Sequence, residues 1–182
     1  MNGIQLRTFA LFFVLLNFHS IKAQLSKVHY IPPIAAHPAT NSNAYPRDQY
    51  IYISTPSNFD VSYSIQPIGS LPSGYISGVV SNTSPNVHYI GEGSTNFAIV
   101  NSDFYGGRVL DDKGYIIISD SPIYVAFRLR ASSRNGGNFP QAGALVSKGL
   151  SALGTSFRTG TFTSENPDTG NGANYLNFIS IM

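Results

Sequence analysis

An all-β fold, an antiparallel β-sandwich-like module, is what this 182-residue chain predicts, on three observations. Charged residues make up only 11% of the chain while aromatic residues make up 13%. Short apolar runs are separated by clusters of Gly, Pro, Asn and Ser, the punctuation of turns between strands. Several of those runs alternate apolar and polar residues with a period of two, which sends successive side chains to opposite faces of a strand. The length suits one domain with a sizeable core.

The first element is not part of that fold. Residues 1–23, MNGIQLRTFALFFVLLNFHSIKA, carry Arg7 as their one early charge, then an apolar run over residues 9–16 and a polar stretch closing on Ala23. This is the layout of a secretory signal peptide. A membrane span needs about 20 apolar residues, more than twice this run, so no span is expected in the mature chain, which starts at Gln24. Arg7 and Lys22 leave with the leader, and the formal charge of +2 falls to zero. A neutral chain with no basic cluster gives no electrostatic case for nucleic acid or an anionic membrane surface. It has no cysteine, so stability rests on the core and on any bound ions.

The strands follow in order. In residues 49–55, QYIYIST, Tyr50 and Tyr52 take one face and Ile51 and Ile53 the other, the pattern of a strand covered on both sides. Residues 59–68 place Val61, Tyr63 and Ile65 opposite Ser62, Ser64 and Gln66. With Pro56-Ser57-Asn58 as the turn, the two segments read as a hairpin or as neighbouring strands across a sandwich. Further strands are expected at residues 75–80, 87–90, 96–100, 114–119 and 123–130, with Asp120-Ser121-Pro122 as the tight connection between the last two. In the last, Ile123, Val125, Phe127 and Leu129 face inward, while Tyr124, Ala126, Arg128 and Arg130 form a solvated face. Residues 132–139 read as a loop. Strands at residues 142–146 and 157–162 flank GLSALG, whose Leu150, Ala152 and Leu153 are expected to bury in one helical turn ended by Gly154. A polar loop at residues 164–172 precedes YLNFISIM, a last strand with no polar tail, and the expectation is an N-terminal piece of a longer protein.

Motifs for chemistry are scarce. Gly149 and Gly154 have P-loop spacing, but Thr155 stands where the phosphate-binding lysine belongs. No serine has glycines two residues to either side, as a nucleophile elbow requires. His29, His37 and His88 form no pair with metal-ligand spacing. The nine carboxylates present no evident pair for glycosidic chemistry. Asp111-Asp112 before Lys113-Gly114 reads as a hairpin turn. The one metal candidate is ENPDTGNG at residues 165–172, where oxygens of Glu165, Asp168 and Asn171 could wrap calcium, although the loop lacks the order of an EF-hand.

HYIPPI at 29–34, RDQYIYISTPS at 47–57, KGYIIISDSPIYVAFRL at 113–129, QAGALVSKGLSALGTSFRTG at 141–160 and NYLNFISIM at 174–182 resemble the IgG Fc-binding protein N-terminal domain family. That family is found at the N-terminus of large type IX-secreted, gliding-associated surface proteins of Bacteroidetes. The resemblance covers nearly all of the mature chain. It implies a secreted or cell-surface module that is not an enzyme, with an adhesion, gliding or protein-binding role and the rest of a parent protein lying C-terminal. It implies for the GLSALG segment a structural connection between strands. No Fc-contacting residue is carried over. On this reading residues 24–165 form the module, and residues 166–182 a loop and final strand that opens a second one. The partner expected is a surface protein or a glycan. The alternative, a carbohydrate-binding accessory module of a polysaccharide-degrading protein, is motivated by tyrosines exposed in a β-rich secreted domain and weakened by the absence of tryptophan.

Overall fold

The structure, a computed structural model, describes residues 24–36, 45–93, 96–101, 110–131 and 141–156. The leader, the loop at 132–139, the calcium candidates Glu165, Asp168 and Asn171, and the strands expected at 157–162 and 175–182 lie outside these residues. Among the described residues the chain forms nine strands: β1 (Ser26–Ile31), β2 (Ile34–Ala36), β3 (Pro46–Ser54), β4 (Val61–Pro67), β5 (Ile76–Val80), β6 (Asn86–Gly91), β7 (Ile99–Asn101), β8 (Tyr115–Ala131) and β9 (Gln141–Ser147). Two 3-10 turns, Pro72–Gly74 and Gly149–Ala152, complete the described elements, and among the described residues no helix is long and apolar enough to cross a membrane. The expected all-β class is what forms.

The organising element is β8, 17 residues long. Its alternation holds from end to end: Tyr115, Ile117, Ser119, Ile123, Val125 and Phe127 are buried, while Ile118, Asp120, Tyr124, Arg128 and Arg130 are exposed. Two strands joined by a turn at Asp120-Ser121-Pro122 were the expectation, and here the structure corrects it: the strand runs straight through. Proline has no N–H to give a ladder and is confined to places where none is needed. Such a place exists because both edges of β8 change partner there. Along one edge β3 stops with Ser54 opposite Tyr124, and β4 takes over with Tyr63 opposite Ser119. Along the other, β9 ends with Ser147 opposite Val125, and β1 takes over with Ser26 opposite Ile123. Side chains satisfy the carbonyls in the gap: Thr55 Oγ1 donates to Pro122 O at 3.0 Å, Ser119 Oγ to Ser121 O at 2.8 Å and His29 Nε2 to Ile123 O at 2.9 Å.

Each flanking row is therefore a long strand in two pieces. β3 and β4 do not pair with each other, so the hairpin reading fails; instead of neighbouring strands across a sandwich they are successive partners of β8 within one seven-stranded sheet. β6 and β5 continue the pattern outside them, antiparallel to β3 and β4. The splice between β9 and β1 explains GLSALG. Gly149, at φ +56°, starts the 3-10 turn against β1, and a Cβ there would overlap Ser26 Cβ, so only glycine fits. Leu150, Ala152 and Leu153 are exposed rather than buried, because the turn meets β1 through Gly149 and the Leu150 N–H, which donates to Ser26 Oγ at 3.4 Å, and not through their side chains.

The inward faces of both halves close over one core that includes Ile31, Ile51, Ile53, Val61, Ile65, Val80, Ile117, Ile123, Val125 and Phe127. The small parallel pair of β2 with β7 adds Ile99 to it. Ile51, Ile53 and Val61, Tyr63, Ile65 all point into this cluster, as their alternation predicts.

Candidate functional site

Two outward faces result from this arrangement. That of the half built from β6, β3, β9 and the C-terminal part of β8 carries aromatic rings. Pairing registers align two rows across the four strands: Tyr89, Tyr50, Arg128 and Ala144 in one, Val87, Tyr52, Ala126 and Val146 in the other. Tyr89 is 55% exposed, Val87 53% and Val146 46%, whereas Tyr50 and Tyr52 are partly shielded by each other and by their neighbours. The Tyr50 and Tyr89 ring centroids lie 5.4 Å apart and those of Tyr50 and Tyr52 6.2 Å apart, each pair tilted by 55°. Arg128 lays its guanidinium over Tyr52 at 4.7 Å, a cation–π contact. The alanines beside these groups keep the rings from being overhung.

Charge is arranged at the margin. Arg130 pairs with Asp48 at 3.4 Å and Arg47 with Glu92 at 3.3 Å. The Tyr89 hydroxyl is held above the ordinary tyrosine range, first by partial desolvation and then by the Glu92 and Asp48 carboxylates, with Arg47 opposing. This surface can stack flat apolar rings and donate hydrogen bonds from tyrosine hydroxyls and guanidinium.

The expectation that β3 is covered on both sides is corrected here: among the described residues Tyr50 and Tyr52 face outward with no layer over them. Alternation fixed which residues share a face. It could not tell a second buried face from an aromatic surface, and the choice of tyrosine over leucine or valine was the available signal. Arg128 and Arg130 lie on the wet face predicted for them.

The outward face of the other half is different. Ser62, Ser64, Ser77, Val79, Ile118 and Asp120 line an open groove of about 500 Å³. Its hydroxyls and one carboxylate surround an aliphatic floor.

The two described histidines, His29 and His88, are structural. His29 is fully buried, and its Nε2 donates to Ile123 O at 2.9 Å and lies 3.1 Å from Ser26 O, while Nδ1 has no partner. Burial lowers its pKa, against the opposing pull of the nearby Ile123, Ser26 and Ser147 backbone, so the ring stays neutral. Its task is to pin β1 to β8 at the splice. His88 reaches the core side of β6, where Tyr63 Oη lies 2.6 Å from Nε2 and the rings meet edge to face. Burial also lowers the pKa of His88, so the ring is neutral and its Nε2 shares a hydrogen bond with the Tyr63 hydroxyl. Burial in turn raises the Tyr63 pKa, opposed by the Asn86 side chain.

His37, like Glu165, Asp168 and Asn171, lies outside the described residues. Among the described residues no three His, Asp or Glu side chains group to hold a metal ion. Among the described residues Asp111 and Asp112 lie in a bend that leads into β8, with Asp112 packed close to Gly69 and the Gly114 carbonyl accepting from Ile68 N at 3.1 Å; residues 102–109, the other side of the expected hairpin turn, lie outside the described residues.

No protein-family model matches the chain, and no curated protein matches it. A solved structure from Thermotoga maritima, described as Thermotoga maritima 1070, aligns with 67% of this chain and 92% of its own at 11% identity and a TM-score of 0.32. A likeness that weak carries no argument about fold or function.

Proposed function

We propose that this chain is a non-enzymatic N-terminal module of a large secreted or cell-surface protein, with an adhesion, gliding-associated or protein-binding role, and that the tyrosine face is its contact surface. The observation that carries the reading is the contiguous outward patch of Tyr50, Tyr52, Tyr89, Val87 and Val146 around Arg128. Scattered exposed apolar residues need no explanation, but a contiguous patch does. Tyrosine and arginine are enriched among the residues that dominate binding energy where surfaces meet, tyrosine because it brings large area with few rotors and arginine because its planar guanidinium offers several donors in a fixed fork. The absence of a catalytic constellation in the sequence and the resemblance stated above support the same reading.

A second reading, a carbohydrate-binding accessory module of a polysaccharide-degrading protein, is favoured by the ring spacings of 5.4 and 6.2 Å, comparable with the size of a six-membered sugar ring. Binding of the full chain to a protein array and a glycan array tests both. The expected result is retention on at least one class, lost in a Tyr50→Ser/Tyr89→Ser variant whose circular dichroism is unchanged. Retention that survives in that variant removes the tyrosine face from the reading, and a saturable hydrolytic activity removes the non-enzymatic assignment.

A further inference from the structure

We infer that the tyrosine face recognises an anionic carbohydrate, a polysaccharide whose pyranose rings carry carboxylate or sulfate groups, with Arg128 as the residue that selects the charge. The inference rests on the tyrosine face being the contact surface. It starts from charge balance. Arg47, Arg128 and Arg130 stand against Glu92 and Asp48; Arg47 and Arg130 are paired with those two carboxylates, and among the described residues no carboxylate lies within ion-pair distance of Arg128. Among the described residues of this face Arg128 is the arginine without a carboxylate beside it, and it sits among the rings rather than at the margin. Arg128 is held there by stacking on Tyr52. A stacked guanidinium keeps its N–H edge free, and that planar fork matches a carboxylate or sulfate bidentately.

The rings decide the rest of the ligand. Tyr50 and Tyr89 offer apolar surface beside the charge, which a simple inorganic anion cannot use. Their 55° tilts prevent one flat platform, so the surface suits a single twisted chain and not the face of a crystalline polymer. A sugar ring set against Tyr50 or Tyr89 brings its acidic substituent within reach of the neighbouring strand, because Tyr89, Tyr50 and Arg128 are consecutive cross-strand partners. Since Arg128 is exposed, the attraction is screened by salt over about 8 Å at physiological ionic strength.

Native gel electrophoresis of the full chain through polygalacturonate, dextran sulfate or uncharged dextran tests this. The expected result is retardation by at least one acidic polymer and much less by dextran, weakening as salt rises. Whichever of the two acidic polymers retards more identifies carboxylate or sulfate as the charge. Arg128→Gln should weaken the acidic interaction about tenfold or more, the loss expected for a charge-assisted hydrogen bond. Arg128→Lys should restore only part of it, and Lys27→Gln, elsewhere on the surface, should leave it unchanged. Equal retardation by dextran, no retardation by any polymer, or an Arg128→Gln variant that behaves as wild type overturns the acidic ligand. The broader reading is separated by Tyr50→Ser/Tyr89→Ser: dextran retardation lost in that variant overturns the charge selection and leaves the tyrosine face as the contact surface. Acidic retardation unchanged in both variants overturns both.

Discussion

Gly78 gives the sharpest test of how the core is locked. It lies opposite Tyr63 in the pairing of β4 with β5, and the Tyr63 ring, only 4% exposed, passes across it to reach His88. A methyl group added at Gly78 would overlap Tyr63 Oη and stand 2.6 Å from Cζ and 3.2 Å from Cε1. The ring is hemmed in and cannot retreat without leaving its hydrogen bond. Overpacking of this kind costs about 1–3 kcal/mol, and loss of the hydrogen bond adds about 0.5–1.5 kcal/mol. Gly78→Ala should therefore destabilise by about 2–4 kcal/mol, a large share of the stability of a domain this size. Tyr63→Phe keeps the ring and strands the His88 nitrogen, at about 1–3 kcal/mol. Combining the two removes the closest overlap but not that with Cζ, so the double variant should fall short of the sum, with a coupling of about 0.5 kcal/mol or more. Gly143→Ala is the contrast, since nothing lies within 4 Å of its added Cβ, and it should be neutral or gain about 0.4–1 kcal/mol. Urea unfolding followed by tyrosine fluorescence serves as the assay, the chain having no tryptophan. A Gly78→Ala variant within about 0.5 kcal/mol of wild type would refute the reasoning.

Three further outcomes follow from the same structure. Because burial lowers the pKa of both His29 and His88, the unfolded chain takes up protons first as pH falls, so stability is full above about 6.5 and is lost below it as pH drops through the lowered values. Urea midpoints from neutral to mildly acidic pH should show this, and a flat profile would contradict it. At the alkaline end, burial pushes the Tyr115 hydroxyl up to about 12, while the unfolded chain ionises near its ordinary value. Stability should then decline as pH rises above about 10, and tyrosinate absorbance should show a late-titrating class that vanishes in urea. Gly149→Ala should cost more than about 2 kcal/mol, from the left-handed backbone and the overlap with Ser26, and should raise amide exchange at the splice of β9 with β1 while sparing β5.

The sequence alone determined the fold class and most strand faces. Alternation in β4 and in both parts of β8 is a local property, one residue in and one out, and it needs no knowledge of partners. Tertiary structure decided everything that depends on which row lies beside which. Pro122 reads locally as a break, yet it sits in one long strand because both neighbouring rows happen to be spliced there. His29 and Gly149 look unremarkable in sequence, and each acquires its role only where β9 and β1 meet end to end. β1 and β2 carry little alternation of their own and are strands through the partners they find in β8 and β7. The tyrosine face shows the same limit: Tyr50 and Tyr52 share a side by periodicity, but Tyr89 and Arg128 join them only through cross-strand register. A side chain's direction is written in its own strand, whereas its neighbours are chosen by distant segments competing to cover one core.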